Sequence, residues 1–298
     1  MCIITNTENG YCRKVENMKQ LIITADDYGM SMAVNQAIQE GIDNGIITST
    51  NVMMNMPFCD DNDRIINKAA SIGLHWNLTC GEPVLPASQI PSLVNKEGSF
   101  FSIVEFRQKF KEGSISVDEI KKELIAQYEK YKDIWGEPSY WNSHENVHLW
   151  PKTHEAFIQT AAYLGINKMR SHDRIYVPPK SKKASFSLSW RIKEPIKKMV
   201  FSYWKREALQ HGMHSPDGKI CCLDETDVHD LEYTFSNIQW KKNTVAEFTC
   251  HPATKCDSHF FGNMTDNRII EYQLVTGREI HKYIEKGNIE LVNFDAVL

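Results

Sequence analysis

The sequence lacks the features that mark several classes of protein. Its apolar runs fall far short of the ~18 residues that a membrane-spanning helix needs. Positive charge is not in excess, because 34 Lys and Arg stand against 38 Asp and Glu and give a net charge of −4. Such a balance offers no overall attraction to nucleic acid. Short-period repeats and low-complexity segments are also absent, so we expect a globular protein that binds neither membranes nor nucleic acid.

Cysteine is present but is not arranged for cross-linking. The eight cysteines are scattered along the chain without a Cys-x-x-Cys pair, the spacing found in many zinc and redox sites. A chain of 298 residues can bury a sizeable core without disulfides, and the adjacent Cys221 and Cys222 fit strand packing better than a bridge. We therefore expect reduced thiols and a cytoplasmic protein.

The first residues do not resemble a secretory signal. The apolar run Cys2–Ile4 is too short, and basic residues follow it rather than precede it. We expect residues 1–17 to form a loose extension ahead of one folded domain at residues 18–298.

The chain does contain a regular alternation of short apolar runs and amphipathic stretches. QLIITA (20–25) predicts the first strand. Further strands are predicted at IITSTNVMM (46–54), IGLHWNLT (72–79), INKMRSH (166–172), GKICCLD (218–224), NTVAEFTCH (243–251) and NIELVNF (288–294). In SYWNSHENVH (139–148) a strand is predicted to run into a loop. Alternation of this kind predicts an α/β fold with a mostly parallel sheet. Seven or eight units fit a TIM-like (β/α) barrel of parallel strands better than an open sheet.

The amphipathic stretches between these runs predict helices. After the first strand, Val34, Ala37 and Ile38 recur at the spacing of one helix face. Ser116 with Glu119 predicts a capping box at the start of another helix. Further helices are predicted at residues 60–71, 151–165 and 227–240, with a helical pair before the last strand.

Two long excursions interrupt the alternation. Residues 80–115 are rich in proline and glycine, and residues 178–215 carry lysines and arginines interleaved with aromatic residues. The basic excursion is typical of a solvated surface helix. The alternative is a lid whose aromatic rings stack on a sugar or whose lysines meet an anionic group.

The residues suited to metal binding or proton transfer follow the predicted strands. Barrels of this type place their chemistry at the C-terminal ends of the strands. Five such ends carry ionisable residues: Asp26 and Asp27, His75, His144 and His148, Arg170 and His172, and His251. We therefore expect the site at this end of the barrel.

The adjacent carboxylates Asp26 and Asp27 have two interpretations. One Asp could cap the following helix. Because consecutive strand residues point to opposite sides, only one of the pair can easily do so. A divalent cation accounts for both carboxylates, since one can bind it while the other stays beside it as a base.

The histidines also have a structural alternative, because each taken alone could be a packed, hydrogen-bonded side chain. His144 and His148 could share a metal on a helix, but here they follow a strand and enter a loop. One Asp with two His is a common ligand set for a catalytic divalent ion.

Five segments in this order carry a resemblance to a known family. LIITADDYGMS, GIITSTNVMMN, IGLHWNLTCGEPV, NSHENVHLWP and FTCHPA resemble the YdjC-like carbohydrate deacetylases, which include the chitooligosaccharide deacetylases, over roughly residues 18–295. The combined ADD-aromatic-Gly and Gly-Leu-His-x-Asn-Leu-Thr segments are quite specific, whereas His-Pro alone is weak. The resemblance implies a distorted (β/α) barrel and a homodimer.

The resemblance also implies roles for particular residues. Asp26 would be the general base and His251 the general acid, with Arg170 supporting the base or the substrate. One divalent ion, Mg²⁺ or Zn²⁺ with Mn²⁺ or Co²⁺ as alternatives, would bind to Asp27, His75 and His144. Tyr28, Asn77 and His148 are predicted to contact the substrate, a small N-acetylated sugar that would lose its acetyl group as acetate. His148 could instead be a fourth ligand.

The chain departs from the family pattern in one segment. Where the family has Asp-Ser-His-x-His-x-His, this sequence has Asn142 for the aspartate and Asn146 for the middle histidine. Loss of that carboxylate would remove a charge near the ligands and could tune metal affinity or metal choice.

Two other classes of function compete with deacetylation. The first is another metal-dependent barrel enzyme, such as a phosphate-ester hydrolase or a sugar isomerase. It is disfavoured because neither late strand is followed by a glycine-rich phosphate loop. The second is a non-catalytic sugar-binding relative. It is supported by the change at Asn142 and by the missing middle histidine.

Overall fold

A computed structural model describes residues 18–60, 70–150, 152–180, 188–222, 230–241, 243–256 and 265–298. The strands are β1 (Lys19–Tyr28), β2 (Ser49–Val52), β3 (Ser71–Trp76), β4 (Trp141–Ser143), β5 (Arg174–Val177), β6 (Gly218–Cys222), β7 (Thr244–Cys250) and β8 (Ile289–Leu291). The helices are α1 (Met32–Asp43), α2 (Ile103–Lys111), α3 (Val117–Trp135), α4 (Thr153–Leu164), α5 (Leu188–Gln210), α6 (Leu231–Asn237), α7 (Thr265–Thr276) and α8 (Glu279–Gly287).

All paired strands in the described part of the chain run parallel in one curled sheet. The order is β4-β3-β2-β1-β7-β6-β5, and β8 pairs with the first residues of β1. Single parallel bridges join Met169 to Trp141 of β4 and Lys168 to His214, so the stretch leading into β5 also reaches the opposite edge of the sheet. The prediction of a distorted (β/α) barrel with seven or eight parallel strands is confirmed.

Most residues of β1 and all residues of β2 are buried on both faces, as expected for the centre of a parallel sheet covered by helices. Local signals set the helix ends. Ser31 caps α1 by accepting from the Val34 backbone N–H, so neither Asp26 nor Asp27 is the cap. At α3, Ser116 accepts from Glu119 N, but the Glu119 carboxylate accepts from Ser92 N, and the predicted capping box is only half formed.

One strand lies later than predicted. The strand expected at residues 166–172 is reduced to the single bridges at Lys168 and Met169, and regular pairing with β6 begins at Arg174. The extension at 1–17, most of the helix expected at 60–71, and Pro151 lie outside the described residues. Within the described part, no helix combines the length and the apolar character needed to cross a membrane.

The two excursions are built differently. Residues 80–102 are mostly irregular before α2 begins, and the buried Glu123 of α3 holds them by accepting from Val84 N and Leu85 N at 2.9 and 3.0 Å. Ile90 and Leu93 join the main hydrophobic core. The basic excursion at 178–215 contains the long helix α5.

Candidate metal and catalytic site

The chain turns sharply where β1 ends. The pairing of β1 with β2 shifts register between Ala25 and Tyr28. Asp27 has a φ of 75° and Gly29 a φ of 97°, in the left-handed region that side chains disfavour. A Cβ on Gly29 would also lie 3.0 Å from the Cys59 backbone. This bulged turn sends the carboxylates of Asp26 and Asp27 to different partners.

Asp27 faces two imidazoles. Its Oδ1 lies 3.3 Å from His75 Nε2 at the end of β3 and 3.1 Å from His144 Nδ1 after β4. Ligand atoms of the three residues all lie within 4.8 Å of one another. Ligand atoms around one divalent ion at ~2.1 Å stand about 3.0 to 3.4 Å apart. The donor set and its spacing therefore fit a single divalent cation.

The second oxygen of Asp27 is held by an arginine from α7. Arg268 Nη2 donates to Asp27 Oδ2 at 2.5 Å, and both side chains are buried. Burial raises the pKa of Asp27, but Arg268 and the nearby histidines outweigh burial and hold the pKa well below its usual range. Asp27 is thus ionised, with Oδ1 turned to the histidines.

Both carboxylate oxygens of Asp26 accept hydrogen bonds from the guanidinium of Arg170. Arg170 donates from Nη1 to Oδ2 and from Nη2 to Oδ1, both at 2.7 Å, and Asn51 donates to Oδ1 at 2.6 Å. The Arg170 Nε also donates to the buried Glu247 at 3.0 Å. Burial raises the pKa of Asp26, but the attraction of Arg170 lowers the pKa by more than burial raises it. The net pKa lies well below the usual range, so the carboxyl stays ionised.

His251 follows β7 and stands between two carboxylates. Its Nε2 lies 3.7 Å from Asp26 Oδ2, and its Nδ1 lies 3.7 Å from a Glu271 oxygen. Glu271, one helical turn after Arg268 on α7, also accepts from the His251 backbone N–H. The ring is 27% exposed, so solvent or a ligand can reach it.

His148 is not in the group of three candidate ligands. The segment His144–Leu149 is a kinked 3₁₀ stretch in which Glu145 and Asn146 have positive φ, so the histidines do not share a helix face. His148 is buried, and its Nδ1 lies 2.6 Å from Ser143 Oγ. Burial holds the pKa of His148 well below its usual value.

Tyr28 and Asn77 are likewise buried within the protein. The Tyr28 hydroxyl accepts from Gln39 at 2.8 Å. Asn77 donates to Asn55 and to the Cys80 carbonyl at 3.0 and 2.7 Å. The first bond joins the end of β1 to α1, and the other two connect loops that follow strands. The substrate contacts expected of Tyr28, Asn77 and His148 stay predictions.

Four contributors were missed from the sequence: Asn51, Glu247, Arg268 and Glu271. Asn51 and Glu247 lie inside buried strands, where a polar residue is itself an informative signal. Arg268 and Glu271 are three positions apart and share a helix face, but no local pattern indicates that this face meets the strand ends.

Sequence comparison shows the family. The YdjC-like protein family model matches residues 20–286, so the chain belongs to this family. A carbohydrate deacetylase of Clostridium beijerinckii (strain ATCC 51743 / NCIMB 8052) is 27% identical over 283 residues, which cover 93% of this chain and 100% of that protein. A chitooligosaccharide deacetylase of Salmonella paratyphi B (strain ATCC BAA-1250 / SPB7) is 34% identical over 149 residues, covering 49% of this chain and 57% of the relative.

A solved structure has the same fold. It is a crystal structure of an Enterococcus faecalis V583 protein described provisionally as a cellobiose-phosphate cleavage protein. The similarity has a TM-score of 0.73 and 26% identity, and covers 94% of this chain and 98% of that one.

Proposed function

We propose that this protein removes the N-acetyl group of a small amino sugar or chitooligosaccharide with the help of one divalent metal ion. One observation carries the proposal: the ligand group Asp27, His75 and His144 stands beside the contact between Asp26 and His251. A metal-binding group next to a carboxylate and an imidazole suits hydrolysis of an amide. The names of the relatives support an acetylated carbohydrate as the substrate class.

The metal would be held by Asp27, His75 and His144. Two imidazoles and a carboxylate suit Zn²⁺ and also accept Mg²⁺, Mn²⁺ or Co²⁺. When bound, the ion would supply a Lewis acid that lowers the pKa of water and polarises the acetyl oxygen.

Asp26 is assigned the role of general base. The Arg170 clamp fixes the plane of the carboxylate and keeps it ionised, ready to accept a proton from the attacking water. The same clamp makes Asp26 a weak base. We therefore infer that Asp26 holds the proton briefly and passes it to His251 Nε2, which lies 3.7 Å from Oδ2.

His251 is assigned the role of general acid. Amide hydrolysis requires protonation of the departing amine nitrogen, and Nε2 of the partly exposed His251 ring can deliver that proton. The contacts of Glu271 with the backbone N–H and with the Nδ1 side of the ring orient the imidazole. Glu271 is therefore a positioning residue.

The test is acetate release from N,N′-diacetylchitobiose and N-acetylglucosamine with Zn²⁺, Mg²⁺, Mn²⁺ or Co²⁺ supplied. Asp26→Asn is expected to lower turnover by about 10²- to 10⁴-fold and to keep metal binding. The matched control is Asp133→Asn, which changes an exposed aspartate of α3 and should leave turnover unchanged. Full activity in Asp26→Asn would remove Asp26 from its role, and no acetate from any sugar with any metal would refute the function.

A further inference from the structure

His75 and Asn142 are direct partners in the sheet. β3 and β4 pair with His75 opposite Asn142, and both side chains are buried. The Asn142 amide lies 2.5 Å from His75 Nδ1. The other ring nitrogen, Nε2, faces Asp27 Oδ1 at 3.3 Å. Asn142 therefore contacts the side of the ring that points away from the other ligands.

A metal at this site fixes the direction of that contact. A neutral imidazole has one N–H and one lone pair. If His75 uses the Nε2 lone pair as a ligand, its hydrogen must be on Nδ1 and must be donated. The Asn142 amide must then present its oxygen to His75.

That orientation conflicts with the other side of Asn142. With the oxygen turned to His75, the amide nitrogen stands 2.9 Å from both Nη1 and Nη2 of Arg170, so donors face donors. The nearest acceptor for this nitrogen is Asp26 Oδ1, at a long 3.4 Å. A buried polar contact of this kind is costly.

If the Asn142 amide is turned over, the contact between donors disappears, but the resulting hydrogen bonds suit a site without metal. The amide oxygen then accepts from Arg170 at 2.9 Å and from Asn51 at 3.0 Å, and the amide nitrogen donates to His75 Nδ1. The hydrogen of His75 must then be on Nε2. In that position it points toward Asp27 Oδ1 and occupies the lone-pair direction that a metal needs.

We propose that the Asn142 amide and the His75 imidazole switch together between these two states, and that Asn142 thereby sets the metal affinity of the site. This inference rests on the metal site of the proposed function. Metal binding must turn the amide through about 180° and leave its nitrogen against Arg170. A carboxylate at this position would accept from His75 and Arg170 at once and would need no turn.

The first test measures the affinity of the purified protein for Zn²⁺ and for Mg²⁺ by calorimetry, without sugar. Asn142→Asp is expected to bind more tightly by about 10- to 100-fold, the range in which such outer partners act. The matched control is Asn146→Asp. It adds the same charge two residues from His144 on an exposed residue whose positive φ an aspartate tolerates.

The second test needs no substitution at Asn142. Nitrogen-15 NMR of histidine-labelled protein, with His75→Gln to assign the signal, reports which ring nitrogen carries hydrogen. We expect hydrogen on Nε2 without metal and on Nδ1 with Zn²⁺ bound.

The outcomes separate the two proposals. Affinities within twofold for the unchanged protein and Asn142→Asp, or equal tightening in Asn146→Asp, would overturn the role of Asn142 and leave the metal site standing. Hydrogen on Nδ1 in the metal-free protein would do the same. A protein that binds neither ion in any variant would overturn the metal site and the proposed function with it.

Discussion

Three buried histidines, His148, His154 and His172, lie outside the candidate metal-binding group Asp27, His75 and His144. The rings of His154 and His172 are 5.0 Å apart, the rings of His148 and His172 are 6.0 Å apart, and His154 stacks on Trp204 at 5.0 Å. Burial lowers the pKa of His154 to about 4. Burial also lowers the pKa of His172, with a further contribution from the neighbouring His154, to about 3. Both rings therefore stay neutral in the folded protein at pH 5.

The direction in which the free energy of unfolding changes with pH depends on how many protons these histidines bind in the unfolded chain. An unfolded histidine binds a proton below about pH 6.5, whereas folded His154 and His172 do not until about pH 4 and 3. Between these values the unfolded state holds more protons. The contribution of these two histidines to the free energy of unfolding therefore falls as the pH drops through this window. The low pKa values of Asp26 and Asp27 act only at more acidic pH.

We therefore expect the protein to lose stability between pH 7.5 and 5.0, with roughly 2 to 4 kcal/mol due to these two histidines. Urea unfolding at both pH values measures the loss. The double variant His154→Gln/His172→Gln should lose less stability over the same interval. The control His211→Gln, which changes an exposed histidine, should behave like the unchanged protein. An equal loss in all three proteins would contradict the assignment.

Some properties of Asp27 could be predicted from the sequence, but its backbone conformation could not. The alternation of side chains along a strand predicts that only one of Asp26 and Asp27 could easily cap the following helix, and in the structure Ser31 is the cap instead. The sequence does not predict the φ of 75° at Asp27. That conformation is imposed by the bulge against β2 and by contacts with His75 and His144, residues 48 and 117 positions away along the chain.

Among the helices and strands, α7 contacts both Asp27 and His251. Arg268 holds Asp27, and Glu271 holds His251. Removing Arg268 would leave the buried Asp27 carboxylate without its strongest countercharge, a loss that costs about 3 to 5 kcal/mol in buried pairs. A divalent ion on Asp27 would restore that countercharge.

Arg268→Met is therefore expected to lower the melting temperature of the chelator-treated protein and to lower it less when Zn²⁺ is bound. The measured quantity is the rise in melting temperature on adding Zn²⁺, which should be larger in Arg268→Met than in the unchanged protein. Arg278→Met changes an exposed arginine at the start of α8 and serves as the control. Equal rises in the three proteins would show that Arg268 does not compensate Asp27.

Element prediction succeeds where periodicity is strong and fails where tertiary contacts decide. β1, α1, α3 and β7 lie where their patterns predict. β5 is displaced because residues 166–172 reach β4 and His214 only through single bridges before regular pairing starts at Arg174. The face of α7 that meets the site is set by packing of distant segments, which local patterns do not encode.

At the scale of the whole molecule, the barrel gathers the site from residues far apart in the chain. Arg268 and Asp27 are 241 positions apart, and Arg170 and Asp26 are 144 apart. The placement of the site was predictable, because parallel strands bring their C-terminal ends to one edge. The pairing of each carboxylate with its own arginine was not predictable, since it depends on side-chain directions that are fixed only when the sheet curls and the helices pack on it.

The most direct test of the account is a titration of metal back into chelator-stripped protein while acetate release from N,N′-diacetylchitobiose is followed. We expect no acetate from the stripped protein, a rise in rate with added Zn²⁺ or another divalent ion, and saturation at one ion per chain. His144→Ala should need far more metal to reach the same rate. Acetate release that persists at full rate after complete removal of metal would contradict the account.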